Sequence, residues 1–216
     1  MRKEIIDTIM KNKIIVILRG VEHDKLLPLA EALYAGGVRA LEITYTHEDR
    51  HLDEKTADGI RSLSEHFQNK MLIGAGTVTE VSQVELTKKA GGKFIISPDT
   101  NEAIIRKTSE LDMVSIPGAL TPTEIETAYK SGADFVKLFP IISLGADYVK
   151  AIKAPLSGIR LLGVGGINEN NMSEYSKAGI CGFGIGSNLV NKQFISEGNF
   201  KAITDLTKKF ISNLGE

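Results

Sequence analysis

The chain has 216 residues, 42% of them hydrophobic and 25% charged, with a formal net charge of −1, values of a globular protein with one sizeable core. No dense basic block appears, so nucleic acid is a poor partner, although a few cationic groups would suffice for an anionic small-molecule substrate. The single cysteine, Cys181, excludes an intrachain disulfide and a thiolate metal cluster, and beside glycines in an apolar run it reads as inert filler. Residues 1–6 lack the layout of a signal peptide and no apolar run approaches a membrane span. The expectation is a cytoplasmic protein with no membrane partner.

In chain order, residues 1–12 read as a helix. Short apolar runs follow at 13–18, 38–43, 71–75, 93–97, 113–117, 135–139, 159–164 and 181–185, often β-branched and bounded by Gly, Pro, Asp or Thr. Such runs favour buried strands. Helix-like segments lie between them at 25–35, 53–67, 81–90, 102–109, 122–130 and 170–177. Thr121-Pro122-Thr123-Glu124 supplies a helix start, with an N-cap threonine, a proline at the first position and a glutamate in the first turn. Glycines at 36–37, 91–92, 132 and 179 mark helix ends. Eight strands alternating with helices imply a parallel sheet with helical crossovers. At this length the expected fold is α/β, a single (β/α)8 TIM barrel domain over residues 1–216, with the extra N-terminal helix closing its bottom. An open parallel sheet is the alternative.

A barrel of this kind collects its reactive groups at the C-terminal ends of the strands. Lys137 sits in the apolar run Phe135-Val136-Lys137-Leu138-Phe139, where alternation gives it the same face as the two phenylalanines. An ammonium there is costly to desolvate, and a partly neutral amine is a nucleophile toward carbonyl carbon. A lysine that snorkels to the rim of a core strand is the other reading of the run. Glu42, in Ala40-Leu41-Glu42-Ile43-Thr44, could form a buried ion pair with Lys137 or shuttle protons beside it. Arg19, Thr77 and Pro98 also fall at strand ends.

Gly165-Gly166 and Gly186-Ser187 follow the last two strands. Glycine permits close backbone approach, and loops at these two places are the recurrent phosphate site of such barrels, although βα turns often contain glycine in any case. Phe139 reads as a packing wall for a small substrate. His47 and His51 share a helical spacing but lie in a polar segment without further ligands, and His23 and His66 read as surface residues. No metal or other cofactor is expected.

These residues together resemble the class I 2-keto-3-deoxy-6-phosphogluconate aldolase family, with its 4-hydroxy-2-oxoglutarate and phosphogalactonate relatives. The resemblance rests on Gly37-Val38-Arg39-Ala40-Leu41-Glu42-Ile43-Thr44, Gly74-Ala75-Gly76-Thr77-Val78, Ile96-Ser97-Pro98, Ile116-Pro117-Gly118, Val136-Lys137-Leu138-Phe139-Pro140 and Gly165-Gly166-Ile167. It implies a Schiff base on Lys137 and proton transfer by Glu42. It further implies a pyruvyl end lined by Arg19, Thr77 and Phe139, phosphate held by the loops of Gly165, Gly166, Gly186 and Ser187, and a homotrimer. Where gluconate-type members carry an arginine after the second strand and a threonine before the paired glycines, this chain has Thr46 and Val164. The valine, together with Leu18-Arg19-Gly20 and the Phe139-Pro140 to Leu144-Gly145 stretch, is more similar to the phosphogalactonate branch. A phosphosugar epimerase or isomerase using Glu42 as base, a sugar-phosphate binding module, and a metal-dependent aldolase are the rival expectations.

Overall fold

Strands whose side chains alternate between two faces and are apolar on both need burial on both. The computed structural model, which describes residues 2–47 and 49–212, supplies it with a parallel barrel inside a ring of helices. The strands are β1 (Ile14–Leu18), β2 (Ala40–Thr44), β3 (Leu72–Gly76), β4 (Phe94–Ile96), β5 (Val114–Ile116), β6 (Gly118–Ala119), β7 (Val136–Leu138), β8 (Leu161–Val164) and β9 (Ile180–Ile185). The helices are α1 (Arg2–Asn12), α2 (His23–Ala35), α3 (Asp53–Phe67), α4 (Val81–Lys89), α5 (Glu102–Glu110), α6 (Pro122–Lys130), α7 (Gly145–Lys153), α8 (Met172–Ala178), α9 (Lys192–Ser196) and α10 (Phe200–Ser212).

Strand order around the sheet is β5-β4-β3-β2-β1-β9-β8-β7-β6, and every pairing is parallel. The nine segments make eight staves, because β5 and β6 are one stave divided at Pro117. Proline has no N–H to donate. The carbonyls of that stave still close the barrel, with Ser115 O, Pro117 O and Ala119 O accepting from the N–H of Phe135 (3.3 Å), Lys137 (2.8 Å) and Phe139 (3.2 Å). The sequence reading ended this strand at Pro117; the structure carries it two residues further.

Two cores result. Alternate strand residues facing outward, among them Val16, Leu41, Ile43, Val136 and Leu138, pack against the helices. Their neighbours Ile15, Ala40, Phe94, Val114, Phe135 and Leu162 fill the barrel together with Ile5 and Ile9 of α1. The N-terminal helix therefore plugs the bottom, as its sequence position implied. Arg2 fastens it, donating from Nε to both Asp134 carboxylate oxygens at 3.0 Å and from Nη1 to Ser109 Oγ at 2.6 Å. Asp134 Oδ2 in turn accepts from the Ser115 N–H at 2.9 Å, tying the plug to the seam.

The expected start of α6 is present. Glu124 accepts from the N–H of Leu120 and Thr121 at 2.9 and 2.8 Å, which holds its carboxyl below the usual range. Three helices were not read from the sequence. α7 begins at Gly145 after an uncapped turn, which removes the usual start signal. α9 has five residues, too few for a visible period. α10 buries Ile203, Thr207 and Phe210, a helical spacing broken in hydropathy by its threonine. It completes the outer ring against α2, where Thr204 Oγ1 donates to Ala32 O at 3.0 Å.

Candidate active site

The barrel interior changes character halfway up. Below are the apolar side chains just named. Above them the register sets Ile17 beside Glu42 and Glu42 beside Gly74, and Lys137 between Gly118 and Leu162. The space for a carboxyl inside a barrel comes from β3. A Cβ on Gly74 would lie 2.4 Å from the Phe94 ring, and one on Gly76 only 1.5 Å from Glu42 Oε1. One glycine admits the floor of the site and the other admits the acid.

Lys137 is 7% exposed and Glu42 is 2% exposed. Burial pushes the Lys137 amine below the ordinary lysine value; the Glu42 carboxylate opposes this, Arg19 adds to it and Asp99 opposes it. Burial likewise raises the Glu42 carboxyl, against the pull of Lys137 and then Arg19. Desolvation thus works on both groups toward their uncharged forms. The buried ion pair weighed from the sequence is not made: among the described residues no N···O distance within 4 Å joins the Lys137 amine to the Glu42 carboxyl. Lys137 Nζ instead lies 4.8 Å from the centroid of the Phe139 ring, and both groups stay open to a ligand.

Arg19, directly after β1, donates from Nη2 to Thr77 Oγ1 at 3.1 Å. Thr77 itself has a φ of 55°, a left-handed conformation that a β-branched residue adopts only when its surroundings enforce it. Here the Val78 N–H donates to Ile96 O at 3.2 Å. Next to it Gln83, fully buried, accepts at Oε1 from the N–H of Thr79 (3.0 Å) and Glu80 (3.3 Å) and donates from Nε2 to Asp53 Oδ1 at 3.1 Å. The sequence reading passed over Gln83 and Asp53. A polar pair 30 residues apart leaves no local spacing by which to find it.

A cavity of about 910 Å³ opens at the C-terminal ends of the strands. Arg19, Glu42, Thr77, Pro98, Lys137, Phe139, Gly165, Gly166, Gly186 and Ser187 all line it. Val164 lines it as well, whereas Thr46 does not. So do Lys25 and Lys192, which the sequence reading missed because helix-surface lysines carry no signal of their own.

The two glycine sites differ in cause. Gly165 and Gly166 have φ of 92° and 79°, and a Cβ on them would meet the Phe139 ring at 3.2 Å and Ile142 Cβ at 2.5 Å. These glycines are required by the chain segment after β7, whatever else they bind. At Gly186 a Cβ would meet nothing within 4 Å, so that position faces open cavity.

Among the described residues no group of three His, Cys, Asp or Glu side chains could hold a metal. His66 Nε2 sits 3.3 Å from Glu31 Oε1 at the surface. Cys181 Sγ donates to Leu161 O at 3.2 Å, and burial pushes its thiol up to about 11. No described helix is long and apolar enough to cross a membrane.

The family model for KDPG and KHG aldolases matches residues 5–206. The chain belongs to that family. A probable 2-dehydro-3-deoxy-6-phosphogalactonate aldolase of Rhizobium meliloti is 36% identical over 181 residues, 83% of this chain and 82% of the relative. A 2-dehydro-3-deoxy-phosphogluconate aldolase of Treponema pallidum is 34% identical over 205 residues, 93% and 92% of the two chains. Among solved structures, KDPG aldolase from Legionella pneumophila, with pyruvate captured as a covalent carbinolamine intermediate, superimposes with a TM-score of 0.82 at 30% identity, over 92% of this chain and 94% of that one. This KDPG/KHG aldolase family chain has similarity of nearly equal strength to gluconate-type and galactonate-type relatives. Identity alone does not separate the two branches.

Proposed function

We propose that this protein is a Schiff-base aldolase that reversibly cleaves a 2-keto-3-deoxy-6-phospho sugar acid to pyruvate and glyceraldehyde 3-phosphate, with Lys137 as nucleophile and Glu42 as proton carrier. One observation carries the reading: a desolvated amine and a desolvated carboxyl share one cavity at the mouth of the barrel. The neutral Lys137 amine adds to the C2 ketone to give a carbinolamine, and loss of water gives an iminium ion. The iminium accepts the electron pair of the breaking C3–C4 bond, while Glu42, directly or through one water, takes the C4 hydroxyl proton. The aldehyde leaves. The enamine is reprotonated at C3 from Glu42, and water then releases pyruvate from the lysine.

A carboxyl whose proton affinity burial has raised is a stronger proton acceptor than an exposed one and can still return that proton. Arg19, held by Thr77, is placed to bind the substrate carboxylate, and the arginine fork suits that group. Phe139 and Pro98 wall the pyruvyl end. The Gly165–Gly166 and Gly186–Ser187 turns present backbone N–H groups to the phosphate. Val164 in place of a hydroxyl residue relaxes discrimination at one carbinol centre, since the site lacks the hydrogen bond that would penalise the wrong epimer, so both the gluconate-type and the galactonate-type substrate fit the reading. The proposal takes residues 1–216 as one domain. Homotrimeric assembly comes to it from the family resemblance and a cytoplasmic location from the reading of the sequence, and light scattering of the purified protein tests the assembly.

Borohydride reduction in the presence of pyruvate tests the mechanism. The expected result is a covalent adduct on Lys137, found by peptide mass analysis, together with loss of pyruvate release. A protein that turns over phosphosugar without an adduct would be the epimerase or isomerase instead.

A further inference from the structure

The cavity continues past the residues used in that mechanism. Its outer wall carries Lys25, from the first turn of α2, and Lys192, the first residue of α9. β1 pairs directly with β9, so the loops that follow these strands are neighbours, and they bring both lysines to the side of the mouth where Gly186 and Ser187 lie. The lining holds Arg19, Lys25, Lys137 and Lys192 against the carboxyls of Glu22 and Glu42. A chain of net charge −1 therefore lines this cavity with excess positive charge, which concentrates anionic ligands there.

The cations fall into two groups. Arg19 is held by Thr77 and Lys137 is buried in the barrel. Lys192 makes no ion pair among the described residues, and Lys25 has only the exposed Asp24 carboxylate, 3.4 Å away. An exposed pair of that kind is weak, so a dianion can displace it.

We infer that Lys25 and Lys192 are specificity residues that clamp the terminal phosphate of the substrate from the outer wall. The inference rests on the aldolase reading above and adds to it the origin of the preference for a charged terminus. Backbone N–H groups in a glycine turn donate to phosphate and to hydroxyl oxygens alike. Two ammonium groups add attraction that exists only for an anion, and as compact point charges they suit a tetrahedral group approached from two sides.

The test is the ratio of kcat/KM for a 2-keto-3-deoxy-6-phospho sugar acid to that for its dephosphorylated counterpart. It is measured in wild type, Lys25→Met, Lys192→Met and the double variant, at low and high salt. Each single change should lower the ratio about fivefold and the double change about tenfold or more, mainly through KM for the phosphorylated substrate. The salt dependence of that KM should flatten in the double variant, and Lys→Arg at either position should restore most of the ratio. An unchanged ratio in the double variant overturns the clamp, as does an equal loss on both substrates, which a purely structural role would produce. The pyruvate–borohydride adduct on wild-type Lys137 separates the two levels. If it forms and the ratio does not move, only the clamp has failed. If it does not form, the aldolase reading has failed and the clamp falls with it.

Discussion

Gly74 and Gly76 stand two residues apart on one face of β3, and alanine at each should damage different properties. Neither has a left-handed backbone, so alanine is conformationally acceptable at both and the added methyl is the whole perturbation. At Gly76 it would lie 1.5 Å from Glu42 Oε1, where ordinary contact begins at 3.4 Å, so the carboxyl must retreat by about 1.9 Å. The cavity gives it somewhere to go, so folding should suffer little. A catalytic group misplaced by about 1 Å costs on the order of a hundredfold in rate, and Gly76→Ala should lose at least about that much in kcat/KM. At Gly74 the methyl meets the Phe94 ring at 2.4 Å, and the ring is fully buried and does not line the catalytic cavity. Overpacking of this kind costs about 1–3 kcal/mol of stability. Pyruvate release and urea denaturation, measured on both variants, decide the matter. If Gly76→Ala keeps kcat/KM within about threefold of wild type, the placement of Glu42 as proton carrier is wrong.

Two further outcomes are expected. Burial lowers the Lys137 amine from its ordinary value of 10.5, so between the lowered value and 10.5 the folded chain binds fewer protons than the unfolded one. Wild-type stability then rises with pH through that window, and the full cost of the buried amine is present below it. Lys137→Met should melt higher than wild type at neutral pH, with the gain shrinking toward pH 10.5; a lower melting temperature would contradict the burial argument. The variant also deprives Glu42 of its cation, but desolvation is the larger influence on both groups. Separately, Asp134→Ala removes the carboxylate partner of the Arg2 guanidinium, which keeps Ser109 Oγ and Gly132 O, and the acceptor of the Ser115 N–H, and hydrogen bonds to charged groups contribute about 1.5–3 kcal/mol each at most. A loss of about that size in denaturant titration is expected, and a loss below about 0.5 kcal/mol would show that the Asp134 carboxylate is not what fastens the N-terminal helix.

What could be read from the chain depended on whether the cause was local. Lys137 and Glu42 were visible because a charge in an apolar strand run is out of place within five residues of sequence. The start of α6 was visible because Thr121, Pro122 and Glu124 are consecutive signals. The division at Pro117 was half visible: proline suggested an end, but only the facing strand shows that the carbonyls on either side continue the ladder. Gly165 and Gly166 were assigned to a ligand, while the structure shows that they also yield to Phe139 and Ile142, partners more than 20 residues away. Gln83 and Asp53, which hold the Thr77 loop, and Lys25 and Lys192, which line one cavity from the loops after the paired β1 and β9, owe their places to the fold and to nothing in their own neighbourhoods.

The helix beneath the barrel has an effect on chemistry it never touches. With Ile5 and Ile9 seated in its lower end, the cylinder is a cup and not a pipe, and the reactive amine lines the cavity at its rim. Burial lowers the proton affinity of residue 137, and the stopper that closes the barrel beneath it carries a guanidinium latch to a carboxylate 132 positions along the chain. Dryness, and with it nucleophilicity, is a property that the two ends of this vessel share.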